Sequence, residues 1–164
     1  MKLSQLFLNF FGAGKLPRPR VATILIAWGI GVALLLFLGP KSLFSLAFAF
    51  FLIGLFESNK ISDNAEKTDK ITLDAAVGVW VALSVAAYAP ALTPALTYAV
   101  PLALLGALGA FFLFDRWAPS TIGWIRRNLR GGLQVMLDDV LAGFAAGLLV
   151  LLVFKGLSTL FGQS

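Results

Sequence analysis

The chain contains neither cysteine nor histidine. Without cysteine it can build no disulfide framework and no thiolate zinc site. Without histidine it can hold no Ser-His-Asp triad, no histidine acid/base phosphatase centre and no imidazole metal site. Charge is scarce as well. Only 13% of the 164 residues are charged, against about 25% in an ordinary soluble domain. Catalysis in such a chain must run on carboxylates, lysine, arginine, hydroxyls and a hard, oxygen-seeking metal. What the chain has instead is apolar surface: 59% of it is hydrophobic, with a mean hydropathy of +0.90.

The apolar residues fall in five runs: 21–38, closed by Gly39-Pro40; 42–56; 71–89, ending at Pro90; 98–114; and 140–161. A membrane-crossing helix needs about 20 residues, with a range of about 17–25. The expected fold is therefore an all-α, single-domain polytopic membrane bundle of about five transmembrane helices. The second run is short, so its helix is expected to continue past Glu57 or to lie in a thinned region of bilayer.

Two amphipathic segments accompany the spans. Residues 1–11 put Leu3, Leu6, Phe7, Phe10 and Phe11 on one helical face, which reads as an interfacial helix rather than a cleavable signal. Residues 122–137 carry Trp124, Ile125, Leu129 and Leu133 among Arg126, Arg127 and Arg130. Such a segment lies along an anionic leaflet with its arginines at phosphate level, as an anchor or as a phosphate binder.

Charge sets the orientation. Lys2, Lys15, Arg18 and Arg20 precede the first run, Lys60, Lys67 and Lys70 follow the second, and Arg116, Arg126, Arg127 and Arg130 follow the fourth. Only Lys41 and Lys155 fall elsewhere. The excess of basic residues on one side predicts a cytoplasmic N-terminus and an external C-terminus. All eight acidic residues then face the cytoplasm too. The partners this implies are a membrane and a phospholipid, with no nucleic acid; oligomeric state is left open.

Five of those acids, Glu57, Asp74, Asp115, Asp138 and Asp139, sit within about a turn of a boundary between an apolar run and a polar loop. A carboxylate that close to hydrocarbon is costly unless it is paired or functional. Two of the boundaries echo each other, Asp74-Ala-Ala-Val-Gly78 and Asp139-Val-Leu-Ala-Gly143. In each, an acid and a glycine four residues apart share one helical face, and the glycine lets a helix or a ligand come close to the carboxylate. Helix packing, with an acid complementing the helix N-terminus, would produce the same pattern. Adjacent Asp138 and Asp139 repel unless a cation or protons intervene. A Mg²⁺ ion, which takes one or two carboxylates and keeps phosphate and water ligands, would suit them.

Several stretches in chain order resemble the phosphatidylglycerophosphatase A family. Residues 114–119 (Phe-Asp-Arg-Trp-Ala-Pro), Gly131-Gly132 and residues 135–143 (Val-Met-Leu-Asp-Asp-Val-Leu-Ala-Gly) are similar to the family's F-D-x-x-K-P-x-P-I and G-G-x-G-I-M-x-D-D-x-x-A-G. Residues 71–78 resemble its I-V-x-D-E-x-x-G segment, and residues 12–17 its glycine-rich entry. The resemblance implies an inner-membrane, Mg²⁺-dependent lipid phosphatase with a cytoplasmic active face. It would convert phosphatidylglycerol phosphate to phosphatidylglycerol and phosphate. By matched position it makes Asp115, Asp138 and Asp139 metal ligands, with Asp74 next. Glu57 becomes a ligand or general base beside Asp74, Asp115 and Asp139 as catalytic groups. Arg127 is matched for phosphate binding, with Arg116 beside it as an unmatched candidate.

The chain also departs from that pattern. Ala75 stands at the family's glutamate, Ala118 at its lysine, Gln134 at a glycine, and residues 20–25 at its P-G-T-x-G-S stretch. These departures raise an alternative: a catalytically impaired or non-catalytic membrane protein of the same fold that binds anionic lipid headgroups.

Overall fold

The computed structural model describes residues 19–61, 72–94, 96–117, 124, 128 and 132–161. The first helix, α1, runs Pro19–Ile61 and contains one non-helical residue, Gly39, with φ 81° and ψ 170°. That backbone state is essentially open to glycine alone. Pro40, whose ring fixes a helical φ and needs no donor, restarts the helix behind it. A continuous helix of that length would reach about 65 Å, roughly twice the hydrocarbon thickness of a bilayer.

Contacts along the neighbouring helix α2, Leu73–Ala86, show that α1 doubles back. On the first arm, Arg20 meets Asp74, Gly31 faces Trp80 and Leu83, and Pro40 and Lys41 share a cavity of about 420 Å³ with Ser84, Val85 and Tyr88. On the second arm the order reverses. Phe50 packs edge-on to Trp80 at 5.3 Å between ring centres, and Gly54 lies against Leu73. The two expected runs are thus the two arms of one helical hairpin, and the second arm does continue past Glu57.

A short 3-10 turn, Ala89–Leu92, leads to α3, Ala99–Trp117, and then to α4, Gly132–Phe161. Among the described residues, four stretches are long and apolar enough to cross a membrane: Arg20–Phe56, Leu73–Leu92, Ala99–Trp117 and Met136–Leu160. With the first of them folded on itself, the architecture is an all-helical membrane bundle of five crossing arms. Helices satisfy their own backbone groups, as hydrocarbon requires.

The core lies around α2. Every residue from Leu73 to Ala86 except Val85 is buried, as befits a helix that is apolar all round. Indole nitrogens tie the bundle together: Trp80 Nε1 donates to Ala27 O at 2.9 Å, and Trp28 Nε1 donates to Leu104 O at 3.0 Å. The outer faces carry exposed Leu36, Phe37, Phe48, Leu105 and Leu152, a girdle suited to lipid rather than water.

One sequence expectation is corrected. Helix α4, which holds the fifth apolar run, starts at Gly132, well before residue 140, and its first turn holds no acid. Residues 132–137 therefore belong to a membrane helix and not to a separate interfacial one. Asp138 and Asp139 stand in its second turn, too deep for a helix-end charge interaction, which fades within the first turn. The interfacial helix expected over residues 1–11, the entry at 12–17, and most of 122–131 lie outside the described residues.

Candidate functional site

Four helices bring a charged residue to the same end of the bundle. Arg20 is in the first turn of α1 and Asp74 in the first turn of α2. Asp115 lies near the C-terminus of α3, and Asp139 lies in the second turn of α4. Helices α2 and α4 run parallel and touch through their glycines. A Cβ at Gly143 would stand 2.2 Å from Gly78 O, and one at Gly78 would stand 2.5 Å from Asp139 O. The echoed Asp-x-x-x-Gly segments are thus two halves of one contact, and what approaches each glycine is the other helix. Helix α3 runs antiparallel and ends with Asp115 against Arg20.

Arg20 is the hub. Its Nε donates to Asp115 Oδ2 at 3.1 Å, and its Nη2 donates to Asp115 Oδ1. The same Nη2 donates to Asp139 Oδ1 at 2.7 Å and Oδ2 at 2.8 Å. Its Nη1 reaches Asp74 Oδ2 at 3.4 Å. The fork to Asp115 is the paired geometry in which arginine binds a carboxylate most strongly. The acids are deep: 6% of the Asp74 side chain is exposed, 13% of Asp115 and none of Asp139, whereas Arg20 is 38% exposed. Arg20 is therefore the most exposed member of the cluster.

Asp138 is buried beside them, with its Oδ1 accepting from the Asp139 backbone N–H at 3.0 Å. Three buried or nearly buried carboxylates thus meet one guanidinium, and a fourth, Asp138, adjoins them. One oxygen is left over: Asp74 Oδ1 is buried and accepts no hydrogen bond, and the Thr72 hydroxyl two residues earlier is in the same state. Buried polar atoms without partners are uncommon and costly.

Of the residues expected from sequence, Asp74, Asp115 and Asp139 are brought together, with Asp138 adjoining. Glu57 lies on the second arm of α1, one turn beyond Gly54, which meets Leu73 and Met136; its side chain is outside the described residues. Arg116 is exposed at the end of α3, and Arg127 is outside the described residues. Arg20 was missed. In the sequence it reads as one of the basic residues that set orientation, although it directly abuts the apolar run 21–38, where a charge must find partners.

Among the described residues, no three carboxylates stand ready to hold one metal ion; Arg20 stands between the three that converge. The donor set still fits a hard divalent ion. Its ligands are oxygens only, its negative charge exceeds what Arg20 neutralises, and Asp74 Oδ1 is uncommitted.

The family model described as Phosphatidylglycerophosphatase A matches residues 6–154. A Phosphatidylglycerophosphatase A of Haemophilus influenzae is 31% identical over 143 residues, covering 85% of this chain and 82% of that protein. One of Escherichia coli is 45% identical over 40 residues, 24% of this chain and 23% of that protein. A protein of Bacteroides thetaiotaomicron named "Putative phosphatidylinositol-3-phosphatase" is 30% identical over 146 residues, 85% of this chain and 86% of that protein. No solved structure matches the chain.

Proposed function

The chain belongs to the phosphatidylglycerophosphatase A family, and from that premise we propose a specific reaction for it. It hydrolyses phosphatidylglycerol phosphate to phosphatidylglycerol and inorganic phosphate, with Mg²⁺, at the cytoplasmic face of a bacterial inner membrane. The observation that supports this reading is the convergence of Asp74, Asp115 and Asp139, from three helices, on Arg20 at one end of the bundle. A lipid substrate keeps its acyl chains in the bilayer and its phosphate at headgroup level, the level of these helix ends.

In the hydrolysis, the oxygen of water bonds to phosphorus and the bond from phosphorus to the glycerol oxygen breaks. One water proton goes to a carboxylate, which passes it to the departing glycerol oxygen, while the phosphate keeps the water oxygen and its other proton. With no histidine or cysteine in the chain, a carboxylate is the only acceptor suited to neutral pH. Asp74 is the best placed, because its Oδ1 carries no other bond. Glu57 is the alternative base. Asp115, Asp138, Asp139 and Asp74 are the groups that would hold Mg²⁺. Bound there, the ion would offset phosphate charge and polarise the phosphorus–oxygen bonds. Arg116 and Arg127 would draw the anionic headgroup to the site from the membrane surface.

The test is phosphate release from phosphatidylglycerol phosphate by the purified protein in detergent, with Mg²⁺ and then with EDTA. Release that EDTA stops is the expected result. Phosphatidylinositol 3-phosphate belongs in the same assay, because one relative bears that headgroup in its name. Release from neither lipid would leave a non-catalytic binder of anionic headgroups as the reading.

A further inference from the structure

We propose that Arg20 is the phosphate-binding cation of this site. It would present its Nη1 edge to the lipid phosphomonoester while Asp115 and Asp139 hold its other edge. The proposal rests on the phosphatase reading and adds to it a residue that lies within the family match but at a position where the sequence departs from the family's motif.

Charge comes first. A phosphomonoester carries about −1.5 to −2 at neutral pH. Left to themselves, the carboxylates of Asp74, Asp115, Asp138 and Asp139 would repel it. It can approach only if positive charge lies on its path. Arg20 is on that path, since its side chain is 38% exposed while the acids it touches are 13% exposed or less.

Donor arithmetic gives the edge. A guanidinium has five N–H groups in a fixed plane. The Nε and Nη2 side is fully engaged, forked onto Asp115 and shared with both oxygens of Asp139. Nη1 has two hydrogens and, among the described residues, makes a single long contact, 3.4 Å to Asp74 Oδ2. That is near the limit of a useful hydrogen bond. Nη1 can therefore take a phosphate oxygen without disturbing the anchored side. Because the anchored side holds the plane of the group, little further order is lost on binding. The one described alternative, Arg116, is exposed at the end of α3 and follows Asp115 in sequence, so it points away from that acid by about 100° around the helix.

A merely structural arginine, clamping four helices, would show the same bonds. The experiment must therefore read phosphate and not stability. Full-length protein in detergent with Mg²⁺ is titrated with inorganic phosphate, and kinetics are measured with phosphatidylglycerol phosphate. Arg20→Lys keeps the counter-charge but loses the planar edge. Its phosphate affinity should fall about tenfold or more, the scale of one charge-assisted hydrogen bond, with KM raised more than kcat is lowered. Arg20→Gln should fall further. A second measurement needs no variant. Inorganic phosphate should slow modification of Arg20 by phenylglyoxal in the wild type, read by mass spectrometry. Unchanged phosphate affinity in folded Arg20→Lys, or an unchanged modification rate, overturns the proposal. If the wild type still releases phosphate from lipid in that case, only the role of Arg20 falls. If the wild type neither releases nor binds phosphate, the phosphatase reading falls with it.

Discussion

The tightest contact beside the site is backbone against backbone, and a single methyl group tests it. At Gly143 an added Cβ would stand 2.2 Å from Gly78 O, 3.0 Å from Gly78 C and 3.2 Å from Gly78 Cα. Comfortable contact needs about 3.5 Å, so Gly143→Ala must part α2 and α4 by about 1 Å. No side chain can rotate aside, because all three neighbours are backbone atoms. Overpacking costs about 1–3 kcal/mol, and a backbone clash belongs at the upper end. For a chain of this size that lowers Tm by about 2–4 °C per kcal/mol. The same parting separates Asp74 from Asp139, and a misplacement of about 1 Å at a reacting centre can cost about a hundredfold in rate. Unfolding can be followed through the fluorescence of Trp28 and Trp80 and compared with phosphate release. Gly156→Ala on the same helix is the control. Its added methyl meets nothing within 4 Å, and alanine there should be neutral or gain up to about 1 kcal/mol in helix propensity. If Gly143→Ala unfolds and turns over as Gly156→Ala does, the close approach of α2 and α4 is wrong.

Other perturbations test other links. Asp139→Asn should abolish phosphate release and remove the thermal stabilisation conferred by Mg²⁺ or Mn²⁺. In the wild type that stabilisation is about 2.7 kcal/mol at 100 times the dissociation constant; equal responses in both proteins would rule out a metal site at Asp139. Gly39→Ala should cost about 1–3 kcal/mol in thermal unfolding. The added methyl meets no neighbour within 4 Å, so the cost comes from φ +81° alone. Cysteines at the exposed positions Thr97 and Asn128 should label from opposite sides of the membrane. Labelling from one side would defeat the topology, while Thr93 in the same loop as Thr97 is buried and unsuited to the test.

Much of the architecture was legible because hydrocarbon permits few solutions. Apolar run lengths marked the crossing arms, and Gly39-Pro40 marked the reversal between the first two. The start of α4 was misread because Leu133, Met136 and Leu137 continue the apolar pattern of the helix backwards into what looked like an interfacial segment. The acids were legible as charges near apolar boundaries, but their common partner was not. Arg20 and Asp139 are 119 residues apart, and no local pattern joins them. Only the position of Arg20, directly before the apolar residues 21–38, marked it as a charge needing partners. The two Asp-x-x-x-Gly segments could be seen as a repeat. That they pack on each other required the parallel course of α2 and α4.

The repeat also explains how these acids come to be so close. Four residues make about one helical turn, so Gly78 lies one turn beyond Asp74 and Gly143 one turn beyond Asp139. Where the glycines meet, the backbones approach as nearly as helices can. One turn nearer the helix starts, that approach leaves the two carboxylates side by side. The third helix obeys the same spacing in reverse. Phe111 lies against Gly78, where an added Cβ would come within 2.6 Å of its ring, and Asp115 follows one turn later. A floor made of Gly78, Gly143 and Phe111 therefore sets the depth and separation of Asp74, Asp139 and Asp115 together. Such a group of acids would repel itself apart; the tight floor beneath and a cation above oppose that repulsion. Arg20 is that cation in the protein as described. Changes in the floor and in the charges should thus be coupled. Gly143→Ala combined with Asp139→Asn should cost less than the sum of the two alone, because the parted helices no longer press the carboxylates together. Additivity within about 0.5 kcal/mol, the behaviour of independent sites, would show that floor and charges act separately.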